Sequence, residues 1–296
     1  MNKPSQNPPK IGTCAWSFED WRGVFYPPQL PSNQWLAWYS RFFSAVEIDS
    51  TFYATPSRHT IAQWLRATPD DFVFTCKMPR EITHARKLRH SRELLRQFLE
   101  GIAPLRPKLG MVLIQLPPFF EPQHDLVALK EFIFDLPTND KNAVPFAVEF
   151  RHPGWHQPSI VQLFENMGIC WVWNDTSALK QQNRAPFAFL PRTTGSLYIR
   201  LLGDLSTKKE THRYVGLTWP RNAALESWAA KIKKHLSTSQ RVFVFANNHY
   251  EGFSPMTCQR LAEQLGVKIN LPPQSTFFAS AHAKAAATDD AQLQLF

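Results

Sequence analysis

Eight short runs rich in β-branched and aromatic residues recur about every 33 residues, and this spacing constrains the fold more than any other feature. The runs are Ile11–Trp16, Ala45–Thr51, Phe72–Pro79, Gly110–Pro117, Pro145–Arg151, Ile169–Asp175, Ser196–Gly203 and Arg241–Asn248. Between several of them, apolar residues repeat every three or four positions, as expected of helices packed on one face. Eight strand–helix repeats are the count of a (β/α)8 barrel. We therefore predict a single α/β domain of TIM-barrel type.

A doubly wound open sheet also alternates strands and helices. However, no GxGxxG or GxxxxGK[ST] sequence follows any run, so the usual nucleotide-binding loops of open sheets are missing. Residues 176–195 contain two prolines and no helical period, which predicts a loop. We expect a flexible lead at 1–10, the barrel at 11–273, and a linker with a terminal peptide at 274–296.

Composition excludes several classes of protein. The longest apolar runs, Ile169–Trp173 and Val242–Ala246, are far shorter than the about 20 residues of a membrane-spanning helix. The first ten residues are polar and do not resemble a secretory signal. The four cysteines form no CxxC pair, so we expect free thiols and a cytoplasmic protein.

The chain is basic, with 33 Lys and Arg residues against 24 Asp and Glu residues and a net charge of +9. This balance favours an anionic partner. Arg80–Arg96, here called the basic segment, contains six Lys or Arg residues and two His residues. It could follow a phosphate backbone, with Trp16, Trp21 and Trp155 stacking on bases. The alternatives are a solvated helix surface and tryptophans packed in the core.

Polar or aromatic residues stand near the end of every predicted strand, where barrel enzymes hold their active sites. The candidate catalytic residues are Glu47, Asp49, Lys77, Glu149 and Asp175. The candidate substrate- or anion-binding residues are Trp16, Arg80, His84, Gln115, Arg151, His152, Trp155, Arg200, Asn247 and Asn248. A buried charge is costly unless it is paired or used. We therefore predict convergence at one end of the barrel for eight of these side chains: Glu47, Asp49, Lys77, Glu149, Arg151, Asp175, Arg200 and Asn247.

Several chemistries fit this set. Two carboxylates at a suitable separation could cleave a glycoside. Asp49, Glu149, His152 and Asp175 could bind a metal, but no HxH or HExxH spacing occurs, so a divalent metal is not indicated and its identity is unknown. Closed ion pairs such as Glu149–Arg200 or Glu47–Lys77 would instead stabilise the barrel.

The basic residues of the set have two interpretations of their own. Lys77 could form a Schiff base if burial lowered its pKa. Alternatively, Lys77, Arg80, Arg151 and Arg200 could hold a phosphate or a carboxylate. We favour anion binding because arginine does not act as a base.

Seven segments, in order, resemble the YecE-like barrels, the bacterial group called domain of unknown function 72. They are IGTCAWSFEDWRGVFYPP at 11–28, VEIDSTFYATPS at 46–57, FVFTCKMPREITH at 72–84, IQLPP at 114–118, AVEFRHPGW at 147–155, YIRLLG at 198–203 and VFVFANNHYEGFSP at 242–255. The resemblance implies a TIM-type barrel over roughly 11–270 and supplies no activity. The chain departs from the family pattern at Ala15, where Gly is frequent, and at Leu202, where the family tends to have His.

The last five residues, QLQLF at 292–296, resemble the pentapeptide by which bacterial polymerases and repair proteins bind the sliding clamp. A chance match somewhere in the chain is on the order of one in a hundred. In this hypothesis Gln292 and Leu293 accompany the apolar anchors Leu295 and Phe296, on a flexible tether. The alternative is that the tail folds back on the barrel.

Three functional hypotheses follow. The first is an enzyme, hydrolase-type, that binds or processes DNA or RNA by phosphodiester chemistry and is recruited to the sliding clamp. The second is an enzyme acting on a phosphorylated or acidic sugar. The third is an adaptor without catalysis, which Leu202 favours if the family's His is catalytic.

Overall fold

The structure is a computed structural model that describes residues 8–138, 143–176, 190–203 and 213–272. Eight parallel strands form a closed barrel in chain order, and β8 pairs with β1 to complete it. The strands are β1 Lys10–Cys14, β2 Ala45–Ile48, β3 Val73–Lys77, β4 Leu109–Gln115, β5 Phe146–Glu149, β6 Cys170–Thr176, β7 Ser196–Gly203 and β8 Arg241–Ala246. The predicted (β/α)8 barrel is confirmed, and an open sheet is excluded because no strand has a free edge.

Helices cover the outside of the barrel. Those of the described residues are α1 Trp35–Tyr39, α2 Arg58–Ala67, α3 Arg92–Ile102, α4 Pro122–Phe134, α5 Pro158–Met167, α6 Asn222–Leu236 and α7 Ser254–Leu265. Local signals fix their ends. The Ser57 hydroxyl accepts a hydrogen bond from the Thr60 N–H at 3.1 Å, and α5 stops at Gly168 with a φ of +64°. None of these helices combines the length and apolar character needed to cross a membrane.

Two predicted segments differ in detail from the structure. The first strand ends at Cys14 because Ala15 turns into the left-handed region, with a φ of +69°. The sixth strand continues one residue into the predicted loop 176–195, to Thr176. Residues 190–195 form neither helix nor strand, and 177–189 lie outside the described residues. The four cysteines are free and buried. They therefore act as small apolar side chains.

The core has two parts. A large outer layer packs the helices against the barrel, and Trp155 illustrates it: the indole is fully buried and stacks between Phe120 and Phe150, with ring centroids 5.2 and 5.0 Å away. A smaller inner cluster fills the barrel and includes Met111 and Phe243. Because the inner cluster is apolar, the charged side chains inside the barrel must be paired with one another.

Candidate functional site

Arg200 on β7 is the centre of a buried ion network inside the barrel. Its Nη2 donates to Glu47 Oε1 on β2 at 2.6 Å, and its Nη1 donates to Glu149 Oε2 on β5 at 2.5 Å. Arg151 donates to the other oxygen of Glu149, and the Tyr198 hydroxyl donates to Glu47 Oε2 at 2.6 Å. β2, β5 and β7 are not neighbours in the sheet, so these bonds cross the barrel interior.

The network balances its own charge, with two carboxylates against two guanidiniums. Burial alone would raise the pKa of Glu149, but Arg151 and Arg200 outweigh burial and lower it to about 2. Burial alone would lower the pKa of Arg200, but Glu149 and Glu47 outweigh burial and raise it. Glu47 and Glu149 are fully buried, and both oxygens of each carboxylate accept a hydrogen bond from these partners. The predicted Glu149–Arg200 pair is therefore present, whereas Glu47 pairs with Arg200 and not with Lys77.

Asp49 directly follows β2 and Lys77 is the last residue of β3, so both lie closer to the carboxyl-terminal mouth of the barrel than Glu47. Asp49 Oδ1 lies 3.7 Å from Lys77 Nζ and 3.8 Å from Arg200 Nη2. These are ion-pair distances without a hydrogen bond, and within the described residues this oxygen has no hydrogen-bond partner. The Asp49 side chain is 29% exposed, so it differs from Glu47 and Glu149 in being accessible at the barrel mouth.

His84 lies among three cations at the same end of the barrel. It belongs to a π-helical turn, Glu81–Ala85, that follows β3, and its Nδ1 shares a 2.9 Å hydrogen bond with the Thr83 hydroxyl. Partial burial, then the charges of Lys77, Arg80 and Arg151, lower the pKa of His84 to about 4. The imidazole is therefore neutral at pH 7. Burial is the larger cause of this lowered pKa, and the three cations add to it.

Arg80 is the cation of this region that has no carboxylate partner among the described residues. Its side chain is exposed, and it forms no ion pair with any carboxylate of the described residues. By contrast, the cations of the basic segment beyond it are paired. The pairs are Arg86–Glu81, Lys87–Asp125, Arg89–Asp125, Arg92–Asp135, Arg96–Glu93 and Arg96–Glu100. Excess positive charge is thus concentrated at the mouth and not along the segment.

Asp175 does not join the predicted cluster. Its neighbour Asn174 is in register with Arg200, so Asn174 faces the interior and Asp175 faces outward. Asp175 Oδ2 accepts a hydrogen bond from the indole of Trp228 on α6 at 3.0 Å. Asn174, which the sequence prediction did not include, donates to the Phe150 carbonyl at 3.2 Å.

The tryptophans expected to stack on a ligand are not displayed at the mouth. Trp155 and Trp21 are fully buried. Trp16 is half-buried, and its ring meets Trp64 of α2 edge-on at 5.5 Å. Trp16 therefore packs against the helical layer, which is what the packing interpretation anticipated.

Four other candidates line the strand ends with local partners. Gln115 is in register with Glu149 and donates to the Leu116 carbonyl at 2.9 Å. His152 Nδ1 accepts from the Gly154 N–H at 3.1 Å. Asn247 Oδ1 accepts from the His249 N–H at 3.0 Å, and Asn248 Oδ1 accepts from the Ser254 N–H at 3.0 Å, so Asn248 holds the start of α7.

Sequence reasoning missed two groups at this end of the barrel. Tyr214 places its hydroxyl 3.2 Å from His249 Nε2, beside the end of β8. Phe52, Tyr53 and Phe119, here called the aromatic rim, follow β2 and β4, and Tyr53 is 80% and Phe119 54% exposed. The signal for the rim is present in the sequence, because these aromatic residues follow Asp49 and Gln115 within four positions.

Other expectations concern the metal, Leu202 and the tail. No group of three or more His, Cys, Asp or Glu side chains in the described ranges could hold a metal ion.

Leu202 is buried and belongs to the inner cluster of the barrel. Its apolar side chain supplies neither an acid nor a base at this point of β7. Gln292, Leu293, Leu295 and Phe296 lie outside the described residues.

Comparisons with known proteins agree with this architecture. Residues 10–279 match the family described as "Protein of unknown function DUF72". The UPF0759 protein YecE of Escherichia coli K12 is 39% identical over 143 residues, or 48% of each chain. The UPF0759 protein YunF of Bacillus subtilis is 31% identical over 154 residues, or 50% of this chain and 52% of that protein. The aligned stretch thus spans about half the length of the curated relatives.

A solved structure extends the similarity over the barrel. The crystal structure of a DUF72 family protein from Thermotoga maritima covers 88% of this chain and 100% of its own. The TM-score is 0.72 and the sequence identity is 29%. The two chains therefore share the closed barrel.

Proposed function

The chain belongs to DUF72, a family of unknown function, and from the geometry of its barrel mouth we propose that it binds a phosphate ester there. The observation that carries this proposal is the placement of cations beside His84. Lys77 Nζ lies 4.3 Å from the Phe52 ring, whose centroid is 4.9 Å from that of His84, and Arg80 directly precedes the turn that holds His84. The charge of Arg151 also acts on His84. Arg80 is the member without a carboxylate partner among the described residues. A phosphate would supply the charge that balances it, through charge-assisted hydrogen bonds.

The reaction class that fits this site is hydrolysis of the bound ester. Asp49 is the proposed general base, because its side chain is 29% exposed at the mouth and its buried Oδ1 accepts no hydrogen bond within the described residues. Asp49 would take a proton from the attacking water as its oxygen bonds to phosphorus, while Lys77 and Arg151 stabilise the charge on the phosphoryl oxygens. The ester P–O bond would break, and the alcohol would leave after taking a proton from the protonated Asp49 or from solvent. Glu47 and Glu149 support this function indirectly, by holding Arg200 and Arg151 in place.

The test compares two arginines of the same segment. Arg80→Ala should weaken the affinity for ribose 5-phosphate about tenfold or more, because a hydrogen bond to a charged group contributes about 1.5–3 kcal/mol. Arg92→Ala is the matched control, since Arg92 is exposed and already paired with Asp135. Equal affinities of both variants and the original protein, measured by calorimetric titration, would refute the phosphate site.

DNA or RNA remains the first candidate substrate. The net charge of +9 and the single concentrated positive site support binding at the end of a strand or at one extruded nucleotide. A strand neutralised at several phosphates would give a steep dependence of log affinity on log salt, whereas one phosphate gives a slope near −1. A measured slope near −1 for a short oligonucleotide would contradict strand binding.

A phosphorylated sugar is the second candidate, and one observation favours it. The cations of the basic segment beyond Arg80 are neutralised by carboxylates inside and outside the segment, so a long phosphate-binding groove has little support. A small phosphate ester requires only the cations at the barrel mouth for binding. Turnover of a sugar phosphate that is lost in Asp49→Asn, with phosphate affinity retained, would favour this candidate over strand processing.

We also propose that Gln292–Phe296 bind a bacterial sliding clamp, as the QLQLF sequence suggests. Tethering would raise the local concentration of the barrel near DNA. A short peptide with few anchors should bind at roughly micromolar affinity. The proposal is tested by calorimetric titration of a sliding clamp with the full chain and, as a control, with a chain ending at Ala291. If the full chain gives no heat of binding, the proposal is wrong.

A further inference from the structure

We infer that the aromatic rim beside the phosphate site binds the planar ring of a nucleotide, so that the mouth takes a phosphate and a base together. This inference rests on the proposed phosphate site and names the class of ligand that would occupy it. The rim consists of Phe52, Tyr53 and Phe119, and it is separate from the buried tryptophans Trp21 and Trp155.

The rim and the phosphate site are continuous in space. Lys77 Nζ lies 4.3 Å from the centroid of the Phe52 ring. The Phe52 centroid is 4.9 Å from that of His84, and the His84 centroid is 6.5 Å from that of Phe119. His84 is therefore flanked by rings, while Lys77, Arg80 and Arg151 surround it electrostatically. One ligand can reach both because a sugar separates the phosphate of a nucleotide from its base.

Two rings of the rim are exposed to a degree that packing does not explain. Phe119 is 54% and Tyr53 is 80% exposed, and both follow strands at the mouth. Phe119 is also contacted by a cation, with Lys87 Nζ 5.2 Å from its centroid. Exposed aromatic rings next to cations are the arrangement that binds nucleotide units, because a base stacks on the ring while the cation meets its phosphate.

The chain offers a matched control for this inference. Phe134 of α4 is 65% exposed, so it resembles Phe119 in type and accessibility. Phe134 ends the helix, in the same groove as Arg92 and Asp135, and the aromatic rim does not include it. Substituting either phenylalanine removes an exposed ring, so neither change should unfold the barrel, and thermal melting would verify this.

The experiment titrates AMP and ribose 5-phosphate, which share a sugar and a phosphate and differ by the base. AMP should bind at least about fivefold more tightly, since stacking on one aromatic ring contributes this much or more. Phe119→Ala should remove most of that preference and leave ribose 5-phosphate unchanged. Phe134→Ala should change neither affinity.

The outcomes separate the inference from the proposal beneath it. Equal affinities for AMP and ribose 5-phosphate, or equal behaviour of Phe119→Ala and Phe134→Ala, would overturn base stacking while leaving the phosphate site standing. Binding of neither compound would overturn both. A 5′-phosphorylated oligothymidylate that binds tenfold more tightly than AMP would identify a strand as the source of the nucleotide, and weaker binding would identify the free compound. In either case Phe119→Ala should weaken the tighter ligand, and an unchanged affinity would overturn base stacking.

Discussion

Replacing Arg200 with Met tests the buried ion network, and its cost follows from the partners left behind. Arg200 donates to Glu149 at 2.5 Å and to Glu47 at 2.6 Å. Without it, Glu149 still has Arg151, but Glu47 retains only the Tyr198 hydroxyl. Glu47 would then be a fully buried carboxylate without a countercharge.

Leaving one partner of a buried ion pair uncompensated costs about 3–5 kcal/mol. That is a large share of a total stability of about 5–15 kcal/mol. Urea unfolding followed by circular dichroism measures the difference directly. Arg92→Met is the matched control, because Arg92 and Asp135 form an exposed pair, and breaking such a pair costs about 1 kcal/mol or less.

The double variant Arg200→Met with Glu47→Gln isolates the cause. Removing the unpaired charge should recover a substantial part of the loss, about 1–2 kcal/mol or more, because the two side chains are directly coupled. The reasoning would be refuted if Arg200→Met cost no more than Arg92→Met. It would also be refuted if Glu47→Gln added its own loss to that of Arg200→Met.

Three further predictions follow from other parts of the chain. Ala15→Gly should stabilise the barrel by about 1 kcal/mol in urea unfolding, because relief of the strain at a φ of +69° exceeds the entropic cost of Gly; a loss of stability would contradict this. His84 should titrate by NMR with a pKa of about 4, and bound phosphate or Arg80→Ala should raise it. That pKa lies below the unfolded value of about 6.5, so the contribution of His84 to the free energy of unfolding should decrease as the pH falls from 6.5 to 4. An unshifted His84 pKa would refute the cation cluster. Deleting Gln292–Phe296 should leave the melting temperature unchanged, whereas a lower one would favour a tail folded on the barrel.

The sequence alone specified the barrel and the end of it that carries polar residues. Strand-forming runs such as Gly110–Pro117 can be identified from one segment, since they are rich in the β-branched and apolar residues that suit a half-buried pleated surface. The repeat of strand and helix then leaves few topologies. Because parallel strands all end at one rim, residues late in the runs were bound to meet there.

Only the tertiary structure decided which of those residues are paired, buried or accessible. The alternation of side chains along β6 is visible in sequence, but barrel closure determines that Asn174 faces inward and Asp175 faces Trp228. Glu47 meets Arg200 across 153 positions of the chain, and no local pattern reports such a distant partner. The same limit applies to Trp155, which is buried because Phe120 and Phe150 enclose it. Ion pairing and burial are properties of two surfaces brought together, whereas strand and helix signals are properties of one segment.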